Sequence, residues 1–145
     1  MKTAPLAVGL LLLLGCAQAF APARLRWPKP SEEARFLLSG DMLQITGVAR
    51  ADLELKTETQ RRSDARDRAL IDAWSRLRAY VEALPVGDST VGELSEKDPA
   101  LKDRLERLVY SARPVHTRFD EGGLAAASVE LERAAINKAL GTDFR

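Results

Sequence analysis

Few side chains in these 145 residues carry a chemistry of their own, and the sharpest of them is a thiol. Cys16 is the only cysteine in the chain and His116 the only histidine. A single cysteine forms no internal disulfide, and a histidine with no Cys or His at ligand spacing builds no zinc or haem site. His116 also falls on the outward phase of an alternating stretch, where a histidine is ordinarily a surface residue. Asp120 and Glu121 are adjacent carboxylates beside Gly122-Gly123, a turn signal that splays them into solvent instead of letting them act as an acid/base pair. The sequence shows no G-x-S-x-G elbow, Walker loop, dinucleotide glycine fingerprint or calcium loop. No nucleophile stands with a base, so the reading is non-enzymatic: no catalytic residue, no metal ligand, no cofactor.

Cys16 belongs instead with what precedes it. Met1-Lys2 is a short positive start, Ala4 to Leu14 is almost unbroken Leu, Ala and Val, and Gly15 is a small exit. Residues 1–15 therefore have the layout of an export signal. Leu13-Leu14-Gly15-Cys16 resembles the bacterial lipobox, in which the thiol is lipidated and the chain is cut just before it. Leu14 departs from that motif, which prefers a smaller residue there. Ala17-Gln18-Ala19 offers a rival A-x-A site, which would cut before Phe20 and discard Cys16 with the signal. The apolar run falls short of the roughly 20 residues a membrane span needs, so a lipid anchor or plain secretion is expected.

Removing the signal takes only Lys2 from the charge inventory and leaves 21 acidic residues facing an equal number of basic ones. Such a balance carries no broad electrostatic footprint for nucleic acid. Residues 16–40 read as a lipidated amino terminus and tether, with Pro22, Pro28 and Pro30 favouring extended backbone. Within it Arg24, Arg26 and Lys29 surround Trp27, a group suited either to a membrane surface or to a spacer whose Trp packs on its own domain. Ser31-Glu32-Glu33 fits the start of a short helix that Gly40 would stop. Residues 41–145 are enough for one small core, held by packing without disulfides.

The elements of that domain follow from hydrophobic period. Leu43, Ile45 and Gly47 alternate with Gln44, Thr46 and Val48, which predicts a strand, with Gly47 at a bulge or a close backbone approach. From Thr57 to Leu84 the period becomes helical: Leu70, Trp74, Leu77, Val81 and Leu84 form an apolar stripe flanked by Ala69 and Ala73. Thr57 or Thr59 caps its start and Pro85 stops it. Glu58–Arg62, Asp64–Arg68 and Asp72–Arg76 are i,i+4 pairs, each worth only about 0.2–0.5 kcal/mol. The many arginines of this helix suit an acidic partner or, more blandly, a solvated face. Residues 86–97 read as a polar connector with an extended piece at Thr90-Val91. Asp98-Pro99 then starts a short helix that buries Leu101, Leu105 and Leu108, with Asp103–Arg107 as a further i,i+4 pair. Val115, Thr117 and Phe119 alternate with His116 and Arg118 up to the Gly-Gly turn. Ala127, Val129 and Leu131 alternate with Ser128 and Glu130 after it, which makes an antiparallel hairpin. A last short helix runs to Leu140, with Gly141 in the stop position. The expected fold is α+β: a small, mainly antiparallel sheet of about three strands, packed by one long helix and two short ones.

Four of these segments together resemble a known family. They are Gly47-Val48-Ala49, Ala69-Leu70-Ile71-Asp72-Ala73-Trp74 running to Val81, Thr90-Val91, and Ser128-Val129-Glu130-Leu131. The pattern, spread from Leu43 to Leu140, resembles the LPP-twenty family of bacterial envelope lipoproteins, and is similar to the amino-terminal domain of a flagellar protein. The resemblance implies lipidation at Cys16, a place in the periplasm or at the outer membrane, and a non-enzymatic role. Some such proteins build rings or discs around the flagellar motor. The implied partners are the membrane, through the anchor on Cys16, and other envelope proteins, with homo-oligomers as one form of assembly. The competing expectation is a secreted periplasmic protein that is an enzyme or carries a small apolar ligand between helix and sheet. It predicts a cavity lined by residues such as Trp74 and Phe119.

Overall fold

The computed structural model of the chain describes residues 36–144. The export signal, Cys16, the Trp27 cluster and the proposed helix start at Ser31 lie outside the described residues. Among those described, no helix is long and apolar enough to cross a membrane.

The fold is α+β. Strands β1 (Phe36–Ser39), β2 (Met42–Arg50), β5 (Arg113–Phe119) and β6 (Leu124–Glu132) form one antiparallel sheet in the order β1-β2-β6-β5. Helix α1 (Glu58–Glu82) crosses one face of it. A two-stranded ribbon, β3 (Pro85–Val86) with β4 (Ser89–Thr90), leads to α2 (Val91–Lys97) and α3 (Pro99–Tyr110), and α4 (Arg133–Leu140) follows β6. The sheet therefore gains β1, which lies where the sequence reading placed tether and helix. Gly40, with φ 57°, turns the β1–β2 hairpin instead of ending a helix. The connector likewise contains a helix, α2, that hydrophobic period does not reveal. It is only 7 residues long, but Thr90 and Glu93 close a full capping box over its first turn.

Helix α1 starts where the sequence placed it. Thr57 caps the Gln60 amide at 3.2 Å while the Gln60 side chain returns to the Thr57 amide at 3.3 Å. Its buried line, however, runs Ala65, Ala69, Ala73, Leu77 and Val81, with Leu70 and Trp74 only half-buried on its flank. Gly47 is the reason. A Cβ at that position would lie 2.3 Å from both the Ala69 carbonyl oxygen and the Ala73 amide nitrogen. Backbone meets backbone there, so only alanines fit between α1 and the β2–β6 pair, where Gly47 stands opposite Ala127. Toward the other end, Leu77, Val81 and Leu84 fill a wider space with Leu43, Val129, Leu105 and Ile136. Each such fully buried aliphatic side chain contributes about 1.5–3 kcal/mol, so most of the hydrophobic stabilisation sits at this end.

Two carboxylates of α1 also serve the sheet. Beyond Ile45, β2 has no β1 neighbour among the described residues. There the Val48 amide donates to Asp72 Oδ2 at 2.9 Å, and the Asp52 amide after the strand donates to Asp64 Oδ2 at 2.8 Å. Arg76 and Arg68, one turn further along α1, hold these carboxylates at 2.8 and 2.9 Å. Satisfying strand amides from a helix blunts an edge that would otherwise pair with another chain.

The far end of the chain closes the core. Gly141, with φ 67°, ends α4, and Phe144 turns back to become 2% exposed. The Asn137 amide clasps the Phe144 backbone from both sides, accepting from its N–H at 2.8 Å and donating to its carbonyl at 3.0 Å.

Candidate functional site

The residues singled out by their chemistry do not converge. His116 lies on the outer face of β5, exposed, as its phase in the sequence indicates. Asp120 organises its turn: its Oδ1 accepts from the Leu124 amide at 2.7 Å and its carbonyl accepts from the Gly123 amide at 3.2 Å. Trp74 donates to the Ala112 carbonyl at 3.4 Å, just before β5 begins, whereas Phe119 ends β5. At about 3.3 Å per strand residue the two rings stand near opposite ends of the strand.

The basic stretch of α1 is not an open cationic surface. Arg62 pairs with Glu58 at 2.7 Å, Arg66 with Asp67 at 2.9 Å, and Arg78 with Glu82 at 2.8 Å, in addition to the Arg68 and Arg76 pairs. Arg61 donates to the Leu55 carbonyl at 3.0 Å. The backbone amide of Asp52 and, next, the Arg68 guanidinium hold the Asp64 carboxyl below its usual range, which keeps that pair charged. Asp103 and Arg107 do not close to ion-pair distance.

Two of the surface concavities are lined by residues of the β5–β6 hairpin. The first, about 470 Å³, lies at the β5–β6 turn beside the start of α1. The Arg62 guanidinium covers the Phe119 ring there at 5.7 Å, and Leu53 stands 88% exposed nearby. Its charged lining is balanced, with Arg50, Arg61 and Arg62 against Glu58, Asp120 and Glu121, so it selects no sign of ligand.

The second concavity is a groove of about 350 Å³ on the sheet face opposite α1. Alternation places Leu43, Ile45, Ala127 and Val129 under the helix and turns Gln44, Thr46, Ala126 and Ser128 the other way. Small side chains on the central strand β6 make its floor. Gln44 and Thr46 form one wall, His116 and Arg118 the other, because His116 stands opposite Ser128 and Arg118 opposite Ala126. The Thr46 and Ser128 hydroxyls bond each other at 2.7 Å, so one of their two protons remains for a further acceptor. Arg118 has no carboxylate within ion-pair distance among the described residues, and no Asp or Glu lines the groove. The site is a set of hydrogen-bond donors with one fixed positive charge, suited to anionic oxygens. The Ser128 hydroxyl is held by Thr46, and no hydrogen bond joins it to His116 across the strands.

The outward phase of His116 was readable in the sequence, but its neighbours were not. The groove depends on β2 pairing with β6, two strands separated by 73 residues, and no local pattern specifies that partner choice or register. Among the described residues, no group of three or more His, Cys, Asp or Glu side chains is placed to hold a metal ion. Compared with protein-family models, with curated proteins and with solved structures, the chain shows no significant match.

Proposed function

We propose that this chain is a non-enzymatic bacterial envelope lipoprotein, anchored through Cys16 and presenting its α+β domain to other envelope proteins. The observation that supports the reading is the outer face of the sheet, which no element among the described residues covers. One face is filled by α1, while the other offers a polar groove bordered by an exposed end strand, β5. A sheet packed on one side only has a surface to give to a partner. The lipobox-like Leu13-Leu14-Gly15-Cys16 supports the anchor, and the resemblance to LPP-twenty lipoproteins supports an assembly role at the outer membrane facing the periplasm, with flagellar structures among the assemblies to test.

A photo-reactive amino acid placed at Gln44 in the full chain tests the surface in living cells. Covalent adducts to envelope proteins from Gln44, and none from Asp103 on the exposed side of α3, are the expected result. No adduct from Gln44, or equal adducts from both positions, contradicts it. Light scattering on the purified full chain tests self-assembly separately: a species larger than the monomer is expected if copies of the chain are among its partners.

A further inference from the structure

The partner surface just proposed has a sign and a direction. Among the described residues β5 is the end strand of the sheet, paired to β6 on one side only, and six of its seven residues are exposed. After the register shift between Pro114 and His116 it runs regularly from His116 to Phe119 opposite Ser128 to Ala125. Pro114 has no N–H to offer, so the regular stretch is where a further strand can form a ladder. On the outer face this edge carries Arg113, His116 and Arg118 at successive outward positions. Among the described residues the only acid facing them is Glu130, which meets Arg113 at 3.5 Å. On the helix side the same stretch presents Thr117 and Phe119.

Resting on the reading of this chain as a protein-binding module, we propose that the β5 edge accepts an extended acidic segment of a partner protein as an additional strand. Its alternate carboxylates pair across to His116 and Arg118, and the residues between them are apolar, against Thr117 and Phe119. Strand addition takes affinity from main-chain hydrogen bonds and specificity from alternate side chains. A second copy of β5 is the wrong occupant, because antiparallel pairing of two such edges sets basic side chains against basic ones. Charge complementarity therefore selects an acid–apolar alternation.

The test is a titration of the full chain with a labelled seven-residue peptide alternating Val and Glu, alongside its Val and Lys counterpart. The Glu peptide is expected to bind and the Lys peptide not. Arg118→Gln, at an exposed residue without an ion-pair partner among the described residues, should leave thermal unfolding unchanged and weaken the Glu peptide about threefold or more, as expected for losing one cross-strand charge pair. Arg66→Gln on α1 should leave binding unchanged. A Glu peptide N-methylated at alternate amides should lose binding, since it cannot complete the ladder. Equal binding of the Glu and Lys peptides, indifference to Arg118→Gln, or full binding of the methylated peptide each overturns the proposal. Those results leave the envelope-partner reading standing or falling on the Gln44 cross-links alone.

Discussion

A methyl group at position 47 has no room. The backbone of α1 occupies the place where the Cβ would go, and a helix backbone cannot give way as a flexible side chain can. Gly47→Ala is expected to cost about 2–3 kcal/mol or more and to lower the unfolding midpoint by about 10 °C, measured by circular dichroism. The sequence allowed this reading, since a glycine inside an alternating strand and alanines spaced by four on a helix both signal close approach. It did not show that the alanines would be the centre of the buried line, because side-chain size alone cannot say how near a sheet will come. Tyr80 makes a second prediction at this scale. Burial pushes its phenol up to about 12, against the opposing pull of Arg133, from an ordinary value of 10. The unfolded chain therefore ionises first, and between about pH 10 and 12 it binds fewer protons than the folded one. Stability falls through that window on account of Tyr80, and Tyr80→Phe should flatten the fall in a series of urea titrations.

At the scale of elements, what was legible follows local rules and what was missed follows contacts distant in sequence. The capped starts of α1 at Thr57 and α3 at Asp98, the Gly122-Gly123 hairpin and the Gly141 stop are written in a few adjacent residues. Strand β1 is not, because Phe36 to Ser39 becomes strand only by pairing with Met42 to Ile45. The carboxylates of Asp64 and Asp72 read as members of surface ion pairs, whereas each also satisfies an amide at or just beyond β2. Asp72→Ala removes an acceptor from the Val48 amide and is expected to cost about 1–2 kcal/mol, more than the few tenths that its pair with Arg76 is worth on a helix surface. Asp72→Asn, which keeps an acceptor oxygen, should recover part of that loss in the same chemical denaturation assay. The carboxyl-terminal clasp is likewise a long-range product: nothing near Phe144 announces that it fills the core beneath α4. Phe144→Ala should cost about 3–5 kcal/mol, as for other buried aromatic residues, and Asn137→Ala should cost less but in the same direction.

For the whole molecule, hydrophobic period and turn chemistry were enough to give an α+β fold with one dominant helix, while the surface that carries the functional proposal needed the sheet order. His116 and Arg118 become a wall, and Thr46 and Ser128 its opposite side and floor, only once β2 lies beside β6. Among the described residues the domain then has one face committed to its own core and one face and edge that no other element covers. We propose that the segment bearing Cys16 is an anchor, and that the outer face of the sheet works at a membrane because of it. Metabolic labelling of cells with a fatty acid, comparing the full chain with its Cys16→Ser variant, tests that most directly. Label carried by the unaltered protein and absent from Cys16→Ser is the predicted result. An unaltered protein without label, recovered from the cell with Phe20 as its first residue, would contradict it.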